Sequence, residues 1–211
     1  RGAGIAVRAV MTQSATEFVT PLSMGVMTED QVYGDMFDLK DEREIGHIQL
    51  SRQADLVVIC PATANILAKM ASGIADDLAT TVLLATDKPV LAVPAMNVRM
   101  WLHAATVRNV AELRASGVAV MEPDEGAMAC GEFGPGRMAE PLEIVAAVEA
   151  AMAVAPAPAA QVAHAVMAAA STAQRMLGCL DQAPGPEQTK ALSGAFVLSQ
   201  MARLKAQRQT C

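Results

Sequence analysis

The stretch Asp55-Leu56-Val57-Val58-Ile59-Cys60, running into Pro61-Ala62-Thr63-Ala64-Asn65, decides the fold. An uninterrupted apolar run stopped by Asp on one side and Pro on the other reads as a strand buried on both faces. Such a strand needs a packing layer above and below it. Outward from it, Pro89-Val90-Leu91-Ala92-Val93-Pro94 repeats the pattern, and Gly117-Val118-Ala119-Val120-Met121 and Ile5 to Met11 are further strand candidates. Between them, helical patterns cover about 63–86, 98–116 and 141–153, the first breaking near Ser72-Gly73 because glycine weakens a helix interior. Strands alternating with helices predict an α/β chain built of βαβ units around a parallel sheet.

The chain has 211 residues, 53% hydrophobic, 18% charged and 3% aromatic, with a net charge of -6. That length suits one domain and an appendage. The acidic balance argues against sequence-independent nucleic-acid binding. No apolar run of about 20 residues predicts a membrane span, and no basic segment leads into an apolar one as in a secretory signal. Cys60, Cys130, Cys179 and Cys211 are widely spaced. That spacing points to a reducing compartment and to neither a disulfide framework nor a zinc site.

Three regions follow from composition: a domain over 1–153, an Ala/Pro-rich linker over 154–170, and a tail over 171–211, partly helical or disordered.

In open parallel sheets, ligands bind beyond the carboxyl ends of the strands. Thr12 and Ser14 follow the first strand and place hydroxyls at a helix start, as an anion site or as simple caps. Thr63, Ala64 and Asn65 follow the Asp55–Cys60 strand. Small residues there admit a flat ligand, and the polar ones can bond its edge; the alternative is again a helix start. Ala95, Met96 and Asn97 follow the next strand, Asn97 offering a donor and an acceptor, with core packing the plain role for Met96, Met100 and Trp101.

His47, in Ile45-Gly46-His47-Ile48, is a candidate general base or a structural histidine. His103 and His164 carry no assignment. Finally, Met128-Ala129-Cys130-Gly131-Glu132-Phe133-Gly134-Pro135-Gly136-Arg137-Met138-Ala139-Glu140-Pro141 reads as a mobile, irregular lid loop. Within it Cys130 is a proton donor, nucleophile or small filler. Arg137 is a carboxylate or phosphate ligand, or one half of a surface salt bridge.

Taken together, Pro61-Ala62-Thr63-Ala64-Asn65, the stretch Pro94 to Trp101 and the stretch Ala129 to Pro141, in register with Gly46-His47-Ile48, closely resemble the flavin-dependent cysteine decarboxylases over residues 1–153. The resemblance implies a flavodoxin-like three-layer α/β sandwich that binds FMN and assembles as homotrimers or trimer-built shells with the site between subunits. It implies Thr12, Ser14, Thr63, Ala64, Asn65 and Ala95 as the flavin lining, and His47 and Cys130 as catalytic groups. It implies substrate contacts by Met96, Asn97, Gly134, Gly136, Arg137 and Met138, with Asn97 on the carboxylate and the Cys130–Met138 segment as a clamp.

The implied reaction is decarboxylation of 4'-phospho-N-pantothenoyl-cysteine to 4'-phosphopantetheine in coenzyme A biosynthesis, in the cytoplasm, through a thioaldehyde and an aminoenethiol. Cys130 favours this over relatives that act on peptide C-terminal cysteines and stop at the enethiol. A non-catalytic flavoprotein-like binding or regulatory module, an inactive truncated fragment and a related flavin prenyltransferase are the rival readings. The resemblance further implies that the family's first strand, its glycine-containing phosphate turn and the next helix are absent, which would leave the sheet with an exposed edge. Leu192 to Leu198 is similar to the strand that opens a following ligase domain.

Overall fold

The computed structural model describes residues 3–34, 46–154, 165–166 and 198–200. In chain order the elements are β1 (Val7–Met11), α1 (Gln13–Thr16), α2 (Pro21–Thr28), β2 (Val32–Tyr33), α3 (His47–Gln53), β3 (Leu56–Ala62), α4 (Ala64–Ser72), α5 (Leu78–Ala85) and β4 (Val90–Pro94). They continue with α6 (Val98–Trp101), α7 (Ala104–Ala115), β5 (Ala119–Val120), β6 (Asp124–Ala127), β7 (Phe133–Arg137), α8 (Pro141–Val154), β8 (Ala165–Val166) and β9 (Leu198–Gln200).

β3 shows why the chain folds in three layers. Its residues alternate between two cores: Leu56, Val58 and Cys60 join Met11, Met24, Val93, Ile144 and Val148 on one face. Val57, Ile59 and Ala62 join Leu50, Ile66, Leu67, Val82, Val110 and Leu113 on the other. The first face is covered by α2 and α8, the second by α3, α4, α5 and α7. Apolar side chains on both faces of one strand therefore demand helices on both sides, as expected of a parallel sheet. Each buried Val, Ile or Leu contributes about 1.5–3 kcal/mol relative to exposure.

The sheet order is β2-β1-β8-β3-β4-β5, with β9 also pairing β1 and β3. β1 pairs β2, β3 pairs β4 and β4 pairs β5, all parallel. The chain thus winds outward from β1 to β2, then crosses to β3 and winds the other way. The point where winding reverses lies between β1 and β3.

That lane also corrects the expected exposed edge: the outer strands are β2 and β5, and the gap is interior. β8 lies in it parallel to both neighbours, Val7 and Leu56 each pairing with Ala165. β9 runs antiparallel, Val10 and Ile59 each pairing with Ser199. Most of the expected linker and tail, including Leu192 to Val197, lies outside the described residues.

Other differences are local. The 63–86 segment divides as expected, with Gly73 closing α4 in the left-handed region at φ 65°. The 98–116 segment also divides, because the His103 ring accepts from the Ala105 amide (3.1 Å) and starts a new helix at Ala104. The strand β2 has only two residues, too few for a periodic signal. Residues 124–137 form an antiparallel hairpin, β6 with β7, in place of the expected irregular loop. Among the described residues no helix is long and apolar enough to cross a membrane.

Asp55, half-buried at the entrance to β3, has its carboxyl pushed up to about 6, chiefly by burial and against the pull of Lys88. A raised folded value means a contribution present below the ordinary carboxylate range and lost as pH rises through about 6. Asp55→Asn is therefore expected to raise stability at pH 7–8 by about 1 kcal/mol and to flatten its pH dependence between about 4 and 6. Thermal unfolding followed by circular dichroism across that range checks this; a variant that tracks the parent at every pH contradicts it.

Candidate active site

Three loops meet at the carboxyl ends of the strands, each beginning a helix with a polar cap. After β1, buried Thr12 accepts from the Ala15 amide (3.3 Å) and Ser14 lies half-buried in α1. After β3, Thr63, 9% exposed, accepts from the Ile66 amide (3.4 Å), with Ala64 and exposed Asn65 following. After β4, the Asn97 side-chain oxygen accepts from the Arg99 amide (2.8 Å). The capping role of Thr12 and Thr63 is thus real. A hydroxyl oxygen that accepts still has its own proton to donate.

The β3 and β4 loops are tied to each other. The Ala95 N–H donates to the Ala62 carbonyl (3.1 Å), and the next amide, Met96, donates to the Gly136 carbonyl (2.9 Å). That second bond hangs the hairpin on the sheet. The fit there excludes side chains: a Cβ on Gly136 would collide with the Met96 carbonyl oxygen, and one on Gly134 would press on Val98 at 3.1 Å. Met138, just past β7, brings its sulfur within 3.6 Å of buried Cys60.

The hairpin turn runs over Met128 to Glu132, closed by the Met128 amide on the Glu132 carbonyl (2.8 Å) and the Gly131 amide on the Met128 carbonyl (2.9 Å). It carries Cys130 and Glu132 to Asn97. The Asn97 amide nitrogen lies 3.1 Å from the Cys130 sulfur and donates to Glu132 in a short hydrogen bond. Because the Asn97 oxygen is held by the Arg99 backbone, its NH2 group must face the hairpin. The Arg99 Nε donates to the other Glu132 oxygen (2.9 Å), and the Cys130 thiol reaches Glu132 at 3.6 Å. The Asn97 and Arg99 hydrogen bonds hold the Glu132 carboxyl below the usual carboxylate range.

Among the sequence-predicted residues, the structure brings Ala95, Met96, Asn97, Cys130, Gly134 and Gly136 into one cluster. Arg137 turns away: its side chain crosses Gly126 and lies 3.8 Å from Glu140, the surface salt bridge weighed for it. His47 begins α3, whose far end reaches Arg8 through Gln53 (2.9 Å) at the start of β1. A helix that leads directly into β3 runs against it, so His47 stands at the strand-end side of the sheet. Its Nδ1 is buried with no partner among the described residues. Among those residues no hydrogen bond joins His47 to the Cys130–Asn97 cluster.

Sequence reasoning missed Glu132 and Arg99. Nothing in the spacing marks them, because only the hairpin fold brings the carboxylate to the α6 start. Among the described residues no group of three or more His, Cys, Asp or Glu could hold a metal. A cleft of about 160 Å³ lies at the opposite end of the sheet, lined by Gly73, Leu84, Val90 and Ser116, away from these groups.

A doubly wound sheet with small-residue turns and a thiol–amide cluster over the β3 and β4 strand ends defines an open-sheet α/β protein, a class whose ligands bind beyond the carboxyl ends of the strands. Within that class the chain belongs to the Flavoprotein family, whose model matches residues 1–153.

It is 46% identical over 147 residues to the coenzyme A biosynthesis bifunctional protein CoaBC of Bacillus subtilis, covering 70% of this chain and 36% of that protein. It is 45% identical over 145 residues to CoaBC of Escherichia coli, covering 69% and 36%. The chain thus spans about a third of the length of these curated relatives. Among solved structures, it resembles a cysteine-to-serine mutant of PPC decarboxylase complexed with pantothenoylaminoethenethiol (TM-score 0.61, 38% identity, 68% of this chain and 81% of that one). It is similar also to the FMN binding protein AtHal3 (TM-score 0.60, 38% identity, 68% and 80%). Family and neighbours support a flavin as the cofactor.

The seating of the hairpin can be tested with two glycines. Gly136→Ala meets backbone at φ 143° and is expected to cost about 2 kcal/mol or more. Gly131→Ala faces open space at φ 80° and is expected to cost about 1 kcal/mol. Equal unfolding midpoints for the two variants would mean that β7 does not rest on Met96.

Proposed function

We propose that this chain is an FMN-dependent decarboxylase that converts 4'-phospho-N-pantothenoyl-cysteine into 4'-phosphopantetheine. The observation that carries the reading is the Cys130 thiol held 3.1 Å from the Asn97 amide over the β3 and β4 strand ends. A proton donor beside a carboxylate-binding amide is what reductive completion of a decarboxylation needs.

The residues fit a flavin. Ala64 and Ala95 present small, partly exposed side chains where the two loops are joined, leaving room for a planar ring against backbone. The buried His47 Nδ1, which has no hydrogen-bond partner among the described residues, is a polar atom that a ligand could satisfy. Thr12, Ser14, Thr63, Ala64, Asn65 and Ala95 would line the ring system. When bound, FMN supplies a reversible two-electron exchange with the cysteine carbon–sulfur unit.

The chain's own groups do the rest. Asn97 donates to the substrate carboxylate and fixes the bond that breaks. The electron pair freed with CO2 passes into the carbon–sulfur unit to give the enethiol, and Cys130 would deliver the proton needed as that double bond is reduced to the saturated thiol. His47 takes the proton released when substrate is oxidised. The β6–β7 hairpin, with Gly134, Gly136 and Met138 close to the β4 loop, covers the substrate and excludes water.

Assembly as a homotrimer is part of the same proposal. Leu22 and Val26 on α2, 78% and 71% exposed, and Ile48 beside His47 are apolar side chains that a second copy would cover.

Purified protein supplemented with FMN should show flavin absorbance and release CO2 from phosphopantothenoylcysteine. His47→Asn should stop CO2 release while leaving the circular dichroism spectrum intact; normal turnover would remove His47 from the mechanism. Cys130→Ser should release CO2 yet accumulate the enethiol. Full phosphopantetheine yield from that variant would contradict the proton-donor role.

A further inference from the structure

The cluster at the hairpin turn is a carboxylate site already filled by the chain's own carboxylate. Three donors converge on Glu132: the Asn97 amide and the Cys130 thiol on one oxygen, the Arg99 guanidinium on the other. An amide and a guanidinium placed on the two oxygens of one carboxylate select that group over a neutral one. Two of these donors, Asn97 and Arg99, belong to the start of α6, the amide aimed by the Arg99 backbone, whereas Cys130 shares the hairpin turn with Glu132. The acceptor sits beside Gly131 at φ 80° on a turn held by two backbone hydrogen bonds. The acceptor side is therefore the part that can lift away. The Glu132 side chain is 34% exposed and gains hydration when it does.

We propose that Glu132 is a resident stand-in for a ligand carboxylate, displaced from Asn97 and Arg99 when a carboxylate-bearing thiol binds. This deepens the decarboxylase reading and rests on it for the identity of the ligand. The cysteine carboxylate takes over both donors and frees Cys130 from Glu132. Once CO2 has left, no carboxylate remains to hold the donors, and Glu132 returns to them. Glu132 is thus a positioning and specificity residue: it keeps Asn97 aimed in the empty protein and favours release of a product that lacks the carboxylate.

Trp101, the single tryptophan of the chain, ends α6 and donates its amide to the Asn97 carbonyl (2.9 Å), so its fluorescence reports on the site. The probes are N-acetyl-L-cysteine and N-acetylcysteamine, which differ only in the carboxylate. Glu132→Ala is expected to bind N-acetyl-L-cysteine about tenfold more tightly than the parent protein, as one charge-assisted contact no longer competes. Glu132→Gln, which keeps the shape, should fall between, and affinity for N-acetylcysteamine should stay unchanged in both. Asn97→Ala in the Glu132→Ala background should erase the gain.

Unchanged or weaker binding of N-acetyl-L-cysteine by both Glu132 variants, or an equal gain for both probes, overturns the proposal. Turnover of phosphopantothenoylcysteine, measured on the same proteins, separates the two claims. Turnover without the Glu132 effect sinks only the stand-in, and the effect without turnover sinks only the decarboxylase assignment.

Discussion

The pairing of β3 with β4 continues past the regular ladder, and the site depends on that continuation. After a register shift between Ile59 and Ala62, the Ala95 amide still finds the Ala62 carbonyl. This single bond sets two small-residue loops side by side. The next amide, Met96, faces outward and takes Gly136, so the hairpin inherits its position from the sheet. Cys130 and Glu132 reach Asn97 only because the far strand of their hairpin is fixed there. A buried amide left without its carbonyl would cost about 1–3 kcal/mol, so the loops, the hairpin and the cluster stand or fall together.

The same geometry separates two tasks. The sheet and the helices packed on its two faces hold Asn97 and Arg99, whereas a turn of a few residues holds the groups that respond to ligand. Asn97 and Arg99 start a helix whose backbone already constrains the amide. Cys130 is exposed and Glu132 only half-covered. Rigid donors facing a yielding acceptor suit a site that must take in a charged group and let go of a neutral remainder.

Much of this was legible in the residue order. Asp55–Cys60 and Pro89–Pro94 gave themselves away because a strand packed on both faces has no polar alternation to blur it. Gly73 marked the end of α4 because only glycine takes that left-handed cap without penalty. The hairpin was not legible. Phe133-Gly134-Pro135-Gly136-Arg137 looks like a loop, since a strand seldom carries two glycines and a proline. Here the glycines are where they are because Val98 and the Met96 carbonyl leave no room for side chains. That reason is tertiary and invisible to local pattern. Glu132 escaped for a related cause: a carboxylate in a glycine-rich stretch has many solvated homes, and its partners lie 33 and 35 residues away. The interior lane between β1 and β3 was misplaced at an edge because composition does not reveal which strands are neighbours.

The two glycines of β7 have a consequence for how such a protein can diverge. A side chain at 136 meets the Met96 backbone and one at 134 presses on Val98, both at positive φ, so substitution at either position is strained. The tip from Met128 to Phe133 faces solvent over most of its length and is under no such ban. A lineage can therefore trade one thiol, acid or aromatic for another at the tip while its foundation stays fixed, acquiring new substrate preferences in single steps without rebuilding the domain beneath.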